Sequence, residues 1–511
     1  MDGRLYRMEP PCFRDGSGAG SAWTKRGEGE VSVMKRSTTY WLAVAVALVS
    51  TGACAQRLPY VVVDTGQDRC FSNDREIAYP RPGDAFDGQD AQYQSSAPAY
   101  RDNGDGTVTD LNTGLMWQKT PDLKNKSTFV QAKAGAKSFR LAGYSDWRLP
   151  TIKELYSLID FRGYSARTVE QSRPYLDASV FAFAWGDSEK GERLIDAQYW
   201  SATEYLGKTM QGNPTAFGVN FADGRIKGYP KVSPRGEMTQ FVRYVRGNPR
   251  YGVNDFVDNR DGTVSDRATG LMWQKADSGC AMTWQAALAY AEGLSLAGRD
   301  DWRLPNAKEL QSIVDYTRSP DATDKARRGP AIAPVFSVAT TESYYWTGTT
   351  HLENHTCGFA VYLCFGQAMG TMGGIRMNVH GAGAQRSDPK SGDRSAWAEG
   401  NGPQGDEVRI LNFVRCVRGG NAVRRTAGPA IDGTFLASHP HGKGGPRNGA
   451  VRGFVAHLDA DGDGKVSRQE FDGPPREFDR LDRDGDGFLS EEEAPRNAPP
   501  GRDFDANPNT R

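Results

Sequence analysis

Short segments of alternating apolar and polar residues occur twice along the chain, in the same order. Each series opens with an Asp- and Asn-rich turn that leads into a short strand, at residues 107–109 and again at 263–265. The segment Thr-Gly-Leu-Met-Trp-Gln-Lys, which starts at Thr113 and at Thr269, predicts the strand that completes a hairpin. We therefore expect each series to begin with a β-hairpin.

Helical spacing of apolar residues follows each hairpin. In the second series Thr283 is a suitable N-cap, because its hydroxyl can accept a hydrogen bond from a backbone N–H of the first turn. The apolar face of this helix carries Trp284, Leu288, Ala291 and Leu294.

A second helix is predicted directly after the segment Asp-Trp-Arg-Leu-Pro, which is present in both series. The residues that follow have capping-box spacing, with Thr151 and Glu154 in the first series and Asn306 and Glu309 in the second. The apolar residues that would form the buried stripes of these helices are Ile152, Leu155, Ile159, Ala307, Leu310 and Val314.

The repeated order indicates two tandem globular domains, because the units of a solenoid are much shorter. Later apolar segments, the last at 241–247 and 413–419, predict strands, so each copy has two helices and a small antiparallel sheet, an α+β fold. The predicted organisation is an N-terminal extension with a signal peptide at 1–55, an N-terminal segment at 56–98, two copies at 99–248 and 253–420, a linker at 421–450 and a small all-α EF-hand module at 451–498.

These segments, in their fixed order, resemble the Lcl C-terminal domain family, long carried as a domain of unknown function. The resemblance rests on Leu-Met-Trp-Gln, Asp-Trp-Arg-Leu-Pro and Val-Arg-x-Val-Arg-Gly, and it covers about residues 99–248 and 253–420. That family is similar to the C-type-lectin-like and formylglycine-generating-enzyme folds, and its named member is a bacterial collagen-like adhesin whose domain binds sulfated glycans. The resemblance implies an exported, ligand-binding domain of C-type-lectin-like fold in each copy.

The 63 basic and 63 acidic residues give a formal net charge of zero, so no overall field attracts nucleic acid. Residues 34–55 have the features of a signal peptide, with Lys35 and Arg36 before an apolar run and an Ala-Cys-Ala cleavage site around Cys54. The apolar run is shorter than the about 20 residues that a membrane span needs. We expect export to the periplasm or cell surface without an integral membrane segment after cleavage, and lipidation at Cys54 is the alternative.

An oxidising compartment permits disulfides among the cysteines that follow the signal peptide, which are Cys70, Cys280, Cys357, Cys364 and Cys416. Cys357 and Cys364 are expected on one strand, about 23 Å apart at about 3.3 Å per residue, which is beyond the reach of a disulfide. Each is therefore expected to pair with another cysteine, such as Cys280 or Cys416.

The second copy is longer than the first in one place. Phe217 aligns with Phe359 at an offset of 142 and Val242 with Val414 at an offset of 172, so the second copy has 30 additional residues there. Long loops in compact domains are usually functional or disordered. Amide, charged and aromatic groups suit recognition of glycans or anionic polymers, which predicts a binding loop containing His380, Gln385, Arg386, Asp388, Lys390 and Trp397. The alternative is a solvated loop held by its own salt bridges.

Other repeated residues are interpreted as structural. The tryptophans Trp117, Trp147, Trp273 and Trp302 recur beside apolar neighbours, which indicates core packing rather than stacking on sugars. Arg148 and Arg303 are expected to be fixed by internal hydrogen bonds.

Two twelve-residue segments near the C-terminus, 459–470 and 482–493, have the ligand pattern of EF-hand calcium loops. The predicted Ca²⁺ ligands are Asp459, Asp461, Asp463, the carbonyl of Lys465, Ser467 and Glu470 in the first loop, and Asp482, Asp484, Asp486, the carbonyl of Phe488, Ser490 and Glu493 in the second. Val466 and Leu489 occupy the same position in the two loops and are expected to pair with each other.

The sequence favours an exported, non-catalytic calcium-binding protein of adhesin-like type that holds a glycan or cell-surface polymer. One alternative is an enzyme of formylglycine-generating-like fold, which would need a reactive pair of cysteines in the second copy, Cys364 and Cys416. A second alternative is an envelope scaffold that binds only protein partners.

Overall fold

The computed structural model describes residues 58–233, 236–353, 356–398, 400–402, 404–431, 455, 464–468, 471, 475–490 and 492–493. All of these residues belong to one compact unit of the chain, which begins at Leu58. The predicted N-terminal extension and signal peptide lie outside the described residues.

The α-helices in chain order are α1 (Phe129–Ser138), α2 (Ile152–Tyr156), α3 (Trp284–Glu292), α4 (Ala307–Ser312) and α5 (Pro475–Leu481). The strands before the second copy are β1 (Cys70–Phe71), β2 (Glu76–Ile77), β3 (Tyr93–Gln94), β4 (Tyr100–Asp102), β5 (Thr107–Asp110), β6 (Leu115–Gln118), β7 (Ser127–Thr128), β8 (Gln198–Glu204), β9 (Thr215–Asn220), β10 (Arg225–Pro230), β11 (Val232–Ser233), β12 (Gly236–Glu237), β13 (Thr239–Gln240) and β14 (Val245–Gly247). The later strands are β15 (Phe256–Asp258), β16 (Thr263–Asp266), β17 (Leu271–Gln274), β18 (Tyr344–Glu353), β19 (Thr356–Cys364), β20 (Met369–Met372), β21 (Ile375–Asn378), β22 (Gln385–Pro389), β23 (Val417–Gly419), β24 (Val423–Arg424), β25 (Val466–Ser467) and β26 (Phe488–Leu489).

Local side chains determine where the predicted helices begin. The hydroxyl of Thr151 accepts a hydrogen bond from the backbone N–H of Glu154 at the start of α2, and the carboxamide of Asn306 accepts one from Glu309 at the start of α4. Each glutamate accepts a hydrogen bond from the backbone N–H of its cap residue in return, so both predicted capping boxes are confirmed. Thr283 caps α3 as predicted, and the buried face of α3 contains Trp284, Leu288 and Ala291, whereas Leu294 lies beyond its end.

Each copy contains one four-stranded antiparallel sheet, with strand orders β14-β6-β5-β4 and β23-β17-β16-β15. The predicted hairpins are confirmed as β5 with β6 and β16 with β17. The closing strand of each copy pairs with the Leu-Met-Trp-Gln strand, with Val245 opposite Trp117 and Val417 opposite Trp273. The four repeated tryptophans are buried, as predicted: Trp117, Trp147, Trp273 and Trp302.

The copies also join in a six-stranded antiparallel sheet of order β18-β19-β22-β10-β9-β8. The first copy supplies β8, β9 and β10, and the second supplies β18, β19 and β22. The two inner strands pair with each other where Ile226 faces Gln385. Corresponding strands therefore lie symmetrically on either side of this pair, as they do in a two-fold dimer.

One hydrophobic core extends through both copies. It contains Trp117, Tyr199 and Phe217 of the first copy together with Trp273 and Val361 of the second. The copies are halves of one folded body, which differs from the expectation of two separate tandem domains. The physical reason lies in β10 and β22, because each would leave an unpaired strand edge if the copies separated.

Residues 58–98 pack against the second copy. The side-chain amide of Gln67 donates to the carbonyl of Thr350 and accepts from the N–H of Thr350, both at 2.9 Å, beside an irregularity in β18. The carboxyl of Asp90 accepts from the hydroxyls of Thr65 at 2.7 Å and Thr349 at 2.6 Å. Side chains of this segment thus satisfy polar groups that β18 leaves unpaired.

The carboxyl of Asp90 makes folding stability depend on pH. Burial, with the nearby charge of Asp64, raises its pKa from 3.8 to about 8. A raised carboxyl pKa stabilises the folded state below the unfolded value of 3.8, and this contribution is lost as the pH rises toward 8. We expect Asp90→Asn to gain stability relative to the wild type as the pH increases from about 4 to about 8, measured by urea unfolding. Parallel stability curves for the two proteins would contradict this expectation.

The predicted linker at 421–450 begins with ordered structure. Strand β24 pairs with β3, and the guanidinium of Arg424 contacts the carboxylates of Asp87 and Glu292. The linker prediction is therefore wrong for residues 421–431, and residues 432–450 lie outside the described residues.

No disulfide joins the five cysteines that the structure describes, so the predicted pairing with Cys280 or Cys416 is wrong. Cys364 and Cys416 lie in one apolar cluster of the second copy, and Cys357 packs in another with Phe71. Four of the thiols are buried as small apolar groups, which is a common environment for cysteine.

Across the described residues the fold consists mostly of small antiparallel sheets with five α-helices, in agreement with the α+β prediction. None of these helices combines the length and apolarity needed to cross a membrane. Within the predicted EF-hand module the described elements are α5, β25 and β26, so this region also contains strands.

Candidate functional site

A carboxylate cluster forms at the start of the second predicted calcium loop. Oxygen atoms of Asp482, Asp484 and Asp486 lie within 4.8 Å of one another. The alternation of aspartates along the loop brings the three carboxylates together, and Gly487 follows with a φ of 83°, a conformation that favours glycine. Three carboxylates in this arrangement offer the oxygen ligands that Ca²⁺ prefers.

Glu493 lies at the far end of the same loop and reaches back toward its start. One carboxylate oxygen accepts from the backbone N–H groups of Arg483 and Asp484, and the other accepts from the N–H and hydroxyl of Ser490. These hydrogen bonds stabilise the carboxylate and lower the pKa of Glu493 to about 2; the backbone N–H of Ser490 contributes most, followed among the backbone donors by those of Arg483 and Asp484. Burial, which raises the pKa, has the smaller effect. The group is therefore an anion at neutral pH.

The two predicted loops are joined by a short strand pair. Val466 faces Leu489 in the pairing of β25 with β26, and both side chains are fully buried, as predicted. The ammonium of Lys465 lies 2.7 Å from a carboxylate oxygen of Asp486 in the opposite loop. Ser467 lies on β25, whereas the first-loop residues Asp459, Asp461, Asp463 and Glu470 lie outside the described residues.

The inserted segment of the second copy is not an exposed binding loop. Its residues 385–389 form β22, an inner strand of the six-stranded sheet. Five of the six predicted ligand residues are buried there, namely His380, Gln385, Arg386, Asp388 and Lys390. The binding-loop prediction is wrong for these residues, because their polar groups face other parts of the same chain. Trp397 is half-buried and packs edge-on against Phe359 at 6.0 Å.

The inserted segment contributes a buried ion pair. The Nε of Arg386 donates to Asp406 at 2.7 Å, and the Nε2 of His380 lies 2.9 Å from the other carboxylate oxygen of Asp406. Burial favours a neutral carboxyl, but Arg386 and His380 outweigh it and hold the Asp406 pKa far below its usual range. Burial also lowers the pKa of His380, so the pair consists of a carboxylate and a guanidinium.

A second group of charges lies beside this ion pair, where the two copies meet. Asp223 lies 3.3 Å from Lys227 and 3.6 Å from Arg225, and Arg225 also pairs with Glu353 of the second copy. Burial opposes ionisation of Asp223, yet Lys227 and Arg225 outweigh it and lower the Asp223 pKa to about 2. His351 completes the group, and burial lowers its pKa to about 4, so its imidazole is neutral.

Two further predicted ligand residues, Asp388 and Lys390, also bind other parts of the chain. Asp388 accepts from the side-chain amide of Asn412 at 3.0 Å, and burial raises the Asp388 pKa to about 7. The ammonium of Lys390 donates to the carbonyl of Ser72 at 3.0 Å and lies 4.0 Å from the ring centre of Trp284. Burial lowers the Lys390 pKa to about 7. Both side chains therefore have internal structural partners.

Helices α2 and α4 exchange lysine contacts across the junction of the copies. The ammonium of Lys153 donates to the carbonyl of Ser312 at 2.6 Å, and that of Lys308 donates to the carbonyl of Ser157 at 2.9 Å. These residues occupy corresponding positions in the repeated segment, so the contacts are reciprocal. A small cavity of about 10 Å³ lies between them, with room for about one water molecule.

Each of the two copies matches a known family. A model of the Lcl C-terminal domain matches residues 106–246 and 262–380. The chain belongs to the Lcl C-terminal domain family. No curated protein and no solved structure matches the chain.

The two Lcl C-terminal matches cover some elements of the fold and leave others outside. They include the hairpins, the four helices α1 to α4 and strands β8, β9, β18 and β19. The N-terminal segment, the strand β22 and the predicted calcium loops lie outside the matched residues. In the second Lcl C-terminal copy, the strand that pairs with the first copy is therefore β22, which the family model does not match.

An enzyme of formylglycine-generating-like fold would need a reactive pair of cysteines, and the candidates in the second Lcl C-terminal copy have no environment that would make them reactive. Cys364 and Cys416 are both fully buried in an apolar cluster. Burial raises the pKa of Cys364 and of Cys416 well above the ordinary value. A nucleophilic thiol needs access and a lowered pKa, and neither residue has them.

Sequence patterns did not single out the charged residues at the junction of the copies. Lys153 and Lys308 recur in the repeated Lys-Glu-Leu segment, which was a usable signal, because a lysine repeated beside buried helix positions indicates a structural role. Asp223, Asp406 and Glu353 carry no such signal, since their partners are distant in the sequence.

Proposed function

We propose that the chain is an exported, non-catalytic calcium-binding protein. The observation that carries this proposal is loop 482–493, in which three aspartate carboxylates converge within 4.8 Å and Glu493 reaches back to the start of the loop. Ca²⁺ takes six to eight oxygen ligands, and this loop supplies carboxylates, a backbone carbonyl at Phe488 and a serine hydroxyl in the EF-hand order. The C-terminal module is then a calcium-stabilised EF-hand pair.

Export is the second part of the proposal. Residues 34–55 have the order of charged, apolar and small residues that a signal peptide requires, with lipidation at Cys54 as the alternative route to the envelope. Outside the cytosol, calcium modules commonly bind with Kd values of about 0.1–1 mM. The proposed site would be occupied in such a compartment.

The partner is proposed to be a glycan or a cell-surface polymer, held by a C-type-lectin-like scaffold of two fused copies. Support for this class of partner comes from the family resemblance and not from the inserted segment, whose polar groups are buried. The shared core and the six-stranded sheet support the scaffold, because one rigid body positions exposed groups better than two hinged domains do.

Glu493→Gln is expected to remove calcium binding at the second loop, because the carboxamide cannot supply two anionic oxygens to the ion. Isothermal titration of the full chain should show the calcium stoichiometry reduced by one relative to the wild type. Glu492→Gln is the matched control, since it removes the same charge from the neighbouring position, which is exposed and outside the ligand pattern. Absence of calcium uptake by the wild type at millimolar concentrations would overturn the proposal.

A further inference from the structure

The side chain of Lys153 is held by three acceptors at the junction of the copies. Its ammonium donates to the carbonyl of Gly252 at 3.0 Å, to the carbonyl of Ser312 at 2.6 Å and to the carboxamide oxygen of Asn254 at 2.9 Å. Two contacts are with backbone and the third is with a side-chain amide. The two backbone contacts fix the position of Nζ, and its third N–H bond then points at the carboxamide oxygen of Asn254.

A carboxyl group lies on the other side of the same amide. The amide nitrogen of Asn254 donates to Asp266 at 2.8 Å and to the hydroxyl of Tyr60 at 3.0 Å. Asp266 is buried, with 1% exposure, and its carboxylate also accepts from the hydroxyl of Thr269 at 2.9 Å. An amine, a carboxamide and a carboxyl group therefore lie in one hydrogen-bonded row.

We propose that Lys153 and Asn254 form an intramolecular isopeptide bond, with Asp266 transferring the proton to the departing amide nitrogen. The new bond joins Nζ of Lys153 to Cγ of Asn254, and the bond from Cγ to Nδ2 of Asn254 breaks. Nothing is oxidised or reduced, and no co-reactant is required. The site is a covalent modification built from the side chains of this chain alone.

The proton balance follows from the geometry. When the Lys153 ammonium loses the proton that points to the Oδ1 atom of Asn254, the two remaining N–H groups still bind the carbonyls of Gly252 and Ser312, and the freed lone pair lies next to the carboxamide group of Asn254. Nζ loses a second proton after attack, and Asp266, whose carboxyl lies 2.8 Å from Nδ2 of Asn254, delivers one proton to that departing nitrogen. The leaving group is ammonia, which takes up the first proton in water, so that one ammonium ion is released for each bond formed.

The environment favours this reaction over hydrolysis. Burial lowers the Lys153 pKa to about 8, so a useful fraction of the amine is neutral near pH 7. Reacting groups held in contact reach effective molarities of about 10⁵–10⁸ M, which replaces an unfavourable encounter by an intramolecular step. The adjoining cavity of about 10 Å³ leaves room for only about one water molecule.

The second copy provides a comparison within the same chain. Lys308 corresponds to Lys153 and also has a burial-lowered pKa of about 8, and Asp110 corresponds to Asp266. The position that corresponds to Asn254 is occupied by Pro98, which has no side-chain carboxamide that a lysine could attack. The lysine and the carboxyl group are thus present in both copies, but the carboxamide that could react with the lysine is present only beside Lys153.

Mass spectrometry of the full chain, isolated under native conditions and then denatured, tests the proposal directly. The intact mass is expected to be lower by one ammonia than the mass calculated for the unmodified chain with the same two termini. Trypsin should yield a branched peptide in which residues 149–162 are joined to residues 251–260, because modified Lys153 is no longer cleaved. Peptide 304–308, which ends at Lys308, should appear in its linear form. Full recovery of linear 149–153 and 251–260 would overturn the proposal.

Three substitutions distinguish bond formation from the hydrogen bonds at the same site. Asn254→Ala should restore linear 149–153, and Lys153→Arg should abolish the branched peptide while leaving a cation for the backbone carbonyls. Asp266→Asn should retain most of the hydrogen bonds of its turn but lose the branched peptide by a large factor. A branched peptide that persists unchanged in Asp266→Asn would overturn the role of Asp266, and the wild-type digest remains decisive if that variant does not fold.

Discussion

Asp406→Ala is expected to lower the free energy of unfolding by about 3–5 kcal/mol at neutral pH, because it leaves the guanidinium of Arg386 buried without its counter-charge. Arg386 donates to Asp406 at 2.7 Å, and both residues are buried. His380 would also lose its hydrogen-bond acceptor. Urea unfolding followed by intrinsic tryptophan fluorescence measures the loss, since the core of each copy contains buried tryptophans.

Asp146→Ala is the matched control for this substitution. Asp146 forms a similar ion pair with Arg246 at 2.7 Å, but its side chain is 60% exposed. Exposed pairs contribute about 0–1 kcal/mol, because water screens them and both side chains lose conformational freedom. Equal losses in the two variants would show that burial does not increase the cost of breaking this ion pair.

The same comparison shows why the inserted segment was misinterpreted from the sequence. Gln-Arg-Ser-Asp-Pro has few apolar residues, and charged residues are rarely buried unless they are paired. The partners of Arg386 and of its neighbours are separated from them in the sequence, as Arg225 is from Ser387 by 162 residues. No local pattern reports such pairing, so a buried strand of polar residues is indistinguishable from a surface loop.

Elements with local causes could be predicted. The capping boxes at Thr151 and Asn306 depend on residues three positions away, and the hairpins depend on turns of a few residues. The proposed calcium loop rests on a pattern of the same local kind, because all its predicted ligands lie within twelve residues. The row formed by Lys153, Asn254 and Asp266 does not, since 101 residues separate the first two.

The symmetry of the copies explains which long-range features arise together. Once β10 and β22 pair, the reciprocal contacts of Lys153 and Lys308 lie on either side of the same axis. The residues that break the symmetry are those of the insertion, which supplies Arg386 and Asp406, a pair of opposite charges that bind each other. The repeat therefore predicts the two halves, and the insertion supplies strand β22, through which the second half pairs with the first.

Ile226→Asp is expected to destabilise both copies together by at least about 4 kcal/mol at neutral pH. Ile226 is fully buried in the shared core and lies at the point where β10 meets β22. A fully buried carboxyl without a partner has its pKa raised by about 3–5 units, and each unit corresponds to about 1.4 kcal/mol. Hydrogen exchange should show faster opening in β9 of the first copy and in β19 of the second to a similar extent.

Two controls separate the introduced charge from the altered shape. Ile226→Val removes one methyl group and should cost only about 0.5–1.5 kcal/mol. Ile375→Asp places the same charge on a side chain that is 57% exposed and should leave stability nearly unchanged. If exchange in Ile226→Asp accelerates in β9 alone, the copies unfold independently, and the inner strand pair does not couple them. Equal acceleration means that the duplicated domains fold as a single cooperative unit, whose junction lies at β10 and β22.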